Sequence, residues 1–353
     1  MNSSQLMNIS ANDFEESNHA SVTALGFTAY LLTGLVSIPG NALCLWILPK
    51  SRSIPENNRL FLMSLSMADL VVGMICILAL PPALLNYWPY GAHICQGSFV
   101  VLSACSGISR NSLLGISIDR YIAITRPLHY HMLVTRRKII VALVCIWMFG
   151  LFLTFFQMVG PPVVYLQHIG LCVPVWIDSK YRSQAITAFM VAFLIPCVIM
   201  FFIYGRLFQI TRQQIKALYD SQNMGQRHGS ESVDKATLRK KAEAKAVRMF
   251  CGITFTFLIA WCPYLTMALC DNLSGRHADT TVECFVIVTA MSSSWWDVVI
   301  LMGMNDGFRR TTKRELARCC GCERLASRVE PSGLGSTVGY KMDSDPVTQR
   351  IEI

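Results

Sequence analysis

Residues 139–166 read IIVALVCIWMFGLFLTFFQMVGPPVVYL, a run that contains no Asp, Glu, Lys or Arg. A helix crosses the roughly 30 Å hydrocarbon core of a bilayer with about 20 apolar residues. Backbone groups in lipid must be paired within their own segment, so this run is predicted to be a membrane-spanning helix. Other runs of similar length bring the number of predicted spans to seven, at residues 22–48, 60–85, 94–118, 183–205, 249–270 and 284–304.

Composition agrees with an all-α membrane protein built as a seven-transmembrane helix bundle. Hydrophobic residues make up 53% of the 353 residues and charged residues only 15%, which is too apolar for a soluble domain. Of the 31 Lys and Arg residues, 27 fall on one side of the predicted spans, whereas the other side holds Lys180, Arg182 and Arg276. By the positive-inside rule the basic side is cytoplasmic and the N-terminus lies outside, in the plasma membrane. This asymmetry accounts for the net charge of +9, so no nucleic-acid partner is expected.

Four regions follow from this pattern. We predict an extracellular tail at residues 1–21, the bundle at 22–304, an amphipathic juxtamembrane helix at 305–318 and a disordered cytoplasmic tail at 319–353. Sequons for N-glycosylation stand at Asn2 and Asn8, and a third, at Asn272, is expected in the last outer loop. Cysteines that directly follow the amphipathic helix are candidates for palmitoylation, namely Cys319, Cys320 and Cys322.

The cytoplasmic end of the third predicted span carries Asp119-Arg120-Tyr121, and Pro127 follows it. A triplet of this kind is specific only because of its place at the end of a third span. Further spaced residues belong to the same pattern, namely Gly40, Asn41, Leu65, Ala68, Asp69, Trp88, Cys95, Trp147, Cys172, Pro196, Tyr204, Phe257, Trp261 and Pro263. On these residues the sequence resembles the rhodopsin-like (class A) G-protein-coupled receptors over residues 20–318, with no subfamily assigned.

The resemblance implies roles for individual residues. Arg120 would engage the G protein, and Glu243 would restrain Arg120 at rest through a charge-assisted bond. The residues implied in coupling and activation are Asp119, Arg120, Tyr121, Pro196, Tyr204, Glu243, Phe257, Trp261 and Pro263. Cys95 and Cys172 would form a disulfide, and Cys270 with Cys284 is a candidate for a second one.

Two segments depart from the family pattern. The family's Asn-Pro-x-x-Tyr is replaced by Asp297-Val-Val-Ile-Leu301, which lacks the tyrosine expected to join Tyr204 on activation. Arg110 introduces a charge inside span three, roughly 15 Å from Arg120 by the helical rise. Intramembrane charges are usually paired, so we expect Arg110 to pair with Asp69 or Asp297. In relatives the positions of Asp69, Ser109, Ser293 and Ser294 form a sodium pocket, whose cation Arg110 could replace.

The resemblance also implies a ligand pocket of mainly apolar and small residues. Amine receptors carry Asp where Leu102 stands, which argues against an amine ligand because a buried ammonium needs a counter-charge. Opsins carry the retinal lysine where Met291 stands, so no retinal is expected, and no cofactor other than a sodium ion is predicted. A neutral or lipid-like small molecule fits best, while a peptide contacting the outer loops stays an alternative. The implied lining is Leu102, Ser103, Ser106, Ala188, Ala192, Trp261, Tyr264, Leu265, Ile287 and Met291.

Function is therefore expected to be signalling from an extracellular ligand to a heterotrimeric G protein, with arrestin as a further partner. The alternative is a seven-helix protein that binds ligand or traffics without productive coupling, favoured by Leu301 and Arg110. A transporter or channel would need several facing ionisable residues and internal repeats, which this sequence lacks. Neither metal-ligand spacing nor a nucleophile motif or phosphate loop indicates an enzyme.

Overall fold

The computed structural model describes residues 3–175, 178–223, 231–276 and 278–319, and side chains from Val22 onward except within 218–239 and at position 241. The chain divides into two compact units, Met1–Thr311 and Thr312–Ile353. The first unit holds every predicted span. Its longer helices are α1 (Ser3–Ile47), α2 (Glu56–Leu78), α4 (Ala92–Thr125), α6 (Arg136–Met158), α8 (Ile195–Asn223), α9 (Glu231–Ser274) and α10 (Thr280–Met304). Shorter helices are α3 (Leu80–Leu85), α5 (Tyr130–Leu133), α7 (Arg182–Phe189) and α11 (Asp306–Cys319).

Within the described residues, seven helical segments are long and apolar enough to cross a membrane, which confirms the predicted fold class. Six of them extend the predicted ranges at one or both ends. The fourth segment is Arg136–Met158, so the predicted range 139–166 ran past the end of the helix. Gly160, Pro161 and Pro162 explain the early end, because proline lacks the amide hydrogen that a helix needs.

The segment predicted as an extracellular tail is helical over its described residues. Helix α1 begins at Ser3 and continues without interruption into the first span, so residues 3–21 are helical. No Gly or Pro precedes Gly26, and nothing in this stretch therefore stops the helix of the span from continuing. The side chain of Asn8 and all of Asn2, Cys320, Cys322 and the tail beyond them lie outside the described residues.

The helices of the first unit close into a ring. Helix α1 packs on α2 and α10, α10 packs on α9, and α9 packs on α8. Helix α4 contacts α2, α6, α8 and α9, which places it at the centre of the bundle. We call the end of α4 that carries Asp119–Tyr121 the DRY end, and the opposite end, where Cys95 lies, the hairpin end.

Proline interrupts the regular helix in two spans. Span two breaks at Ala79, after which α3 begins with Leu80 and Pro81. In span five a π-helical turn, Met190–Leu194, lies between α7 and α8, directly before Pro196. Since Pro196 donates no backbone hydrogen bond, the wider turn before it changes which side chains of this span face α4.

A two-stranded hairpin at the hairpin end follows α6. Strand β1 (Val163–Leu166) pairs antiparallel with β2 (Leu171–Pro174). The Tyr165 hydroxyl donates to the Pro82 carbonyl at 2.8 Å, and the Tyr30 hydroxyl donates to the Ile169 carbonyl at 2.5 Å. These two bonds tie the hairpin to spans two and one. Burial raises the pKa of Tyr165, so this hydroxyl keeps its proton as a donor.

The predicted juxtamembrane helix is observed as α11, and its first residue is tied back to the bundle. Asp306 pairs with Lys245 of α9 and with Arg309, the latter at 2.6 Å. The hydrogen bond from Lys245 lowers the pKa of Asp306, so the carboxylate stays ionised at neutral pH. A negative charge in the first turn also suits the dipole of α11.

Candidate functional site

A cavity opens between α4, α7, α9 and α10 at the hairpin end. It encloses about 130 Å³, comparable to cavities on the order of 150 Å³ that hold a benzene-sized ligand. Strand β2 contributes Leu171, Val173 and Pro174 to its wall, so the hairpin forms part of the enclosure. All ten residues expected in the ligand pocket line this one cavity, namely Leu102, Ser103, Ser106, Ala188, Ala192, Trp261, Tyr264, Leu265, Ile287 and Met291.

Arg110 also lines this cavity, together with residues of spans five and six. Among the described residues it has no carboxylate partner, so the expected ion pair with Asp69 or Asp297 was wrong. The guanidinium lies beside Gly107, one turn toward the hairpin end, with Nη2 at 3.5 Å from where a Cβ would stand. Side chains on a helix lean toward its N-terminus, and this lean carries Arg110 away from the two aspartates.

Asp69 and Asp297 instead lie close to each other, with Asp69 against Ser109 of α4. Their carboxyl groups interact, and Ser109 donates to Asp69 Oδ1 at 2.8 Å. Asp69 Oδ2 has no hydrogen-bond donor among the described groups. Ser109 and Arg110 are adjacent, but successive residues on a helix point about 100° apart. This rotation separates the carboxylates from the arginine.

Aromatic rings stack along α9 from the cavity toward the DRY end. Trp261 lines the cavity and donates through Nε1 to the Ser293 hydroxyl at 3.0 Å. Its ring stacks on Phe257 with centroids 5.9 Å apart, and Tyr264 meets it edge-on. Pro263 interrupts the hydrogen bonding of α9 between these residues. A ligand that displaces Trp261 would therefore act directly on the middle of this helix.

Tyr204 joins three spans below that aromatic stack. Its hydroxyl accepts from Ser117 of α4 at 3.0 Å and from Thr254 of α9 at 3.2 Å. Leu301 is buried but has no polar group to offer. The hydroxyl of Tyr204 is thus held by spans three and six rather than by span seven.

The DRY end is organised around Asp119. Arg120 donates to Asp119 from Nε at 3.1 Å and from Nη2 at 2.6 Å. Tyr130 of α5 donates to the other carboxylate oxygen at 2.7 Å and accepts from Asn57 at 3.0 Å. Burial, and then the contact with Asp119, raises the pKa of Tyr130, so its hydroxyl remains a donor.

Buried Asn58 completes this cluster. With its amide nitrogen turned to Asp119 Oδ2 at 2.5 Å, its oxygen accepts from Arg120 Nε at 2.9 Å. Among the described residues Arg120 pairs with Asp119, so the expected pair between Arg120 and Glu243 is not formed. The adjacent carboxylate and Asn58 already engage the Nε and Nη2 donors of the guanidinium. Asn57, Asn58 and Tyr130 had no signal in the sequence, because they approach from other elements.

Of the two expected disulfides, one is formed. Cys95 in the first turn of α4 is bonded to Cys172 of β2. Cys270 and Cys284 are free thiols, so the second bridge was wrong. Cys284 is buried and its thiol donates to the Val22 carbonyl at 3.7 Å, whereas Cys270 is exposed on α9. The thiol of Cys284 therefore contacts α1, whereas that of Cys270 lies at the surface of the protein.

Asn272 is likewise placed differently from the expectation. It lies inside α9 and is fully buried rather than in a loop, because α9 continues to Ser274. A buried helical asparagine cannot carry a glycan in this fold.

Comparison with known proteins identifies the family. The model of the 7 transmembrane receptor (rhodopsin family) matches residues 40–299. The chain belongs to this family. Human probable G-protein coupled receptor 21 is 29% identical over 275 residues and 77% of each chain is covered. Zebrafish (Danio rerio) galanin receptor 2b is 26% identical, with 97% of this chain and 87% of that receptor covered.

A further receptor relative and a solved structure are also similar to this chain. The Drosophila melanogaster tachykinin-like peptides receptor 86C is 28% identical over 81% of this chain, which spans only 57% of that relative's length. Squid rhodopsin has the same fold, with a TM-score of 0.74 at 20% identity, covering 89% of this chain and 93% of that one. The protein is thus a multi-pass membrane receptor of the rhodopsin-like class, and its relatives are receptors rather than enzymes.

Proposed function

We propose that this receptor converts binding of a ligand in the hairpin-end cavity into nucleotide exchange on a heterotrimeric G protein at the DRY end. The supporting observation is that Trp261, at the cavity wall, and Phe257 stack along α9. One turn further on, Thr254 of α9 bonds to Tyr204. Motion of α9 would reach the surroundings of Arg120 through this chain of contacts.

The orientation proposed with this function places the DRY end in the cytoplasm and the hairpin outside the plasma membrane. The excess of Lys and Arg at the DRY end supports it. Leu128 is 90% exposed and Met132 is 75% exposed beside the Asp119 cluster, although both are apolar. Exposed apolar side chains next to a functional end suit a partner protein, which here is the G protein, with arrestin as a second user of the same surface.

Guanine-nucleotide exchange on purified G proteins of several α-subunit classes tests the coupling. The receptor is reconstituted in lipid nanodiscs, and exchange is compared with that of empty nanodiscs. We expect basal exchange above the empty control with at least one class, and at least about a tenfold loss in Arg120→Gln. Arg136→Gln is the matched control, because Arg136 is exposed and pairs only with the exposed Glu56.

A receptor that binds ligand without coupling is the second candidate. Leu301 supports it, because its side chain offers no polar group to Tyr204, whose hydroxyl is bonded to Ser117 and Thr254. If the receptor binds ligand without coupling, the wild type should give no nucleotide exchange with any G-protein class, and Leu301→Tyr should gain exchange. Exchange by the wild type that Arg120→Gln abolishes would exclude it.

The ligand proposed for the cavity is a small, largely apolar molecule that is not an amine. The described residues that line the cavity include no acidic side chain, and a buried ammonium would need one as its counter-charge. One relative is named for tachykinin-like peptides, so a peptide that reaches the cavity from the hairpin end stays the alternative.

A sodium site between Asp69 and Asp297 is also proposed. Two facing carboxyl groups and the Ser109 hydroxyl supply oxygen ligands of the kind that hard cations prefer. Asp69 Oδ2 is buried without a donor, and Arg110 lies elsewhere. A cation would neutralise the repulsion between the two carboxylates.

A further inference from the structure

Arg110 is a buried cation that has no carboxylate counter-charge among the residues that the structure describes. It is 5% exposed, and its Nε has no hydrogen-bond partner among the described groups. A guanidinium keeps its charge at every accessible pH. An unpaired charge at this depth is costly, and such residues usually mark a site where a partner binds.

The carboxylates of the bundle are committed elsewhere. Asp69 and Asp297 interact with each other beside Ser109, and neither lines the cavity. Glu283, toward the hairpin, contacts His168 at 2.7 Å. Asp119 is bound by Arg120 and Tyr130 at the DRY end. None of these groups is paired with Arg110.

The guanidinium instead borders the cavity. Its position beside Gly107 directs it toward the hairpin end, and Arg110 is the only charged residue among the described ones that line the cavity. The polar neighbours do not replace a counter-charge. Ser106 donates to the Leu102 carbonyl at 2.8 Å and Thr154 to the Gly150 carbonyl at 2.9 Å. Because these hydroxyl groups donate to backbone carbonyls, Arg110 is the dominant polar side chain of the cavity wall.

The rest of the wall is apolar and aromatic. Leu102, Phe189, Leu265 and Met291 face the same space that Arg110 borders. A ligand that satisfies both features carries one negative group and an apolar body. A planar carboxylate matches the donor fork of a guanidinium with two parallel hydrogen bonds.

We propose that the ligand of this cavity is an amphiphilic carboxylate whose anionic group pairs with Arg110 while its apolar body lies against Trp261, Leu265 and Met291. The inference rests on the proposed function only in taking this cavity as the ligand site. It narrows the expected ligands from lipid-like molecules in general to lipid-like acids. Arg110 is then the residue that recognises the acid group.

Binding of a matched pair of probes tests the proposal. 4-Butylbenzoate and its neutral analogue 4-butylbenzamide have the same shape and differ in charge. Each is titrated against the purified wild-type receptor in phosphatidylcholine nanodiscs, and affinity is obtained from the rise in the unfolding midpoint. Benzoate, which lacks the butyl group, tests the contribution of the apolar body. Sodium chloride tests whether a free anion alone gives the stabilisation.

We expect 4-butylbenzoate to bind at least about tenfold more tightly than the amide and than benzoate, a factor that corresponds to roughly 1.4 kcal/mol. Arg110→Gln should remove the preference for the acid, and Arg110→Lys should retain part of it. Leu102→Ala is the matched control, because it changes the wall without changing charge and should affect acid and amide equally.

Several results would overturn the proposal. They are equal binding of acid and amide, no binding of either, an unchanged preference in Arg110→Gln, or chloride alone giving the full stabilisation. The wild-type comparison decides the matter even if Arg110→Gln does not fold. Because no G protein is present, a failure here is distinct from a failure of nucleotide exchange.

Discussion

Arg110 is buried without a carboxylate partner in the described part of the chain, and the resulting cost in stability should be measurable in the ligand-free receptor. Replacing it with leucine removes the buried charge and keeps most of the volume. We expect Arg110→Leu to raise the free energy of unfolding by about 1–4 kcal/mol, by analogy with buried ion pairs replaced by hydrophobic residues.

Thermal unfolding of the purified receptor in nanodiscs measures this change. Arg110→Lys is the control that keeps the charge, and it should give no gain. A lower midpoint for Arg110→Leu would mean that the arginine stabilises the bundle through a contact other than those described.

A second prediction for a single residue concerns sodium binding at Asp69. If sodium lies between Asp69 and Asp297, replacing choline chloride by sodium chloride at equal ionic strength should raise the unfolding midpoint, because the ion binds the folded state. Asp69→Asn should abolish this difference. Glu56→Gln is the control, since Glu56 is an exposed carboxylate at a salt bridge on the surface. A sodium effect that persists in Asp69→Asn would place the ion elsewhere.

At the scale of elements, the hairpin depends on its link to α4. The Cys95–Cys172 bond joins residues 77 positions apart, and β2 forms part of the cavity wall. Removing a disulfide of this kind typically costs about 2–5 kcal/mol in soluble domains. We expect Cys172→Ser to lower the unfolding midpoint and to weaken probe binding in the cavity.

Cys270→Ser is the matched control for this variant. Its thiol is free and exposed, so we expect no change in the unfolding midpoint. A destabilisation equal to that of Cys172→Ser would contradict the assignment of free and bonded cysteines.

Considered as a whole, the molecule has two chemically different ends, and the proposed topology places one on each side of the membrane. Arg276 is exposed at the hairpin end, and Lys138 is exposed at the DRY end. In a Cys270→Ala background, Arg276→Cys should react with a membrane-impermeant maleimide on intact cells. Lys138→Cys should react only after permeabilisation. The reverse pattern would invert the receptor and contradict the proposed coupling.

Apolar length in the sequence was sufficient to predict the seven spans, and the resemblance to the rhodopsin-like receptors predicted the residues that line the cavity. A span needs a minimum apolar length, and a motif shared with the family marks the depth of a residue within its span. Leu102, Trp261 and Met291 were therefore placed together before any contact was known. The Cys95–Cys172 pair followed from the same resemblance.

The partners of charged and sulfur-containing side chains were decided only by the tertiary structure. Arg110 turns toward the cavity rather than Asp69, and Arg120 pairs with its neighbour Asp119 rather than Glu243. Cys284 faces α1 instead of Cys270. Each outcome depends on the rotation of a helix about its axis, where one residue changes the direction by about 100°. The sequence determines how deep a side chain lies, whereas packing of neighbouring helices determines what it meets there.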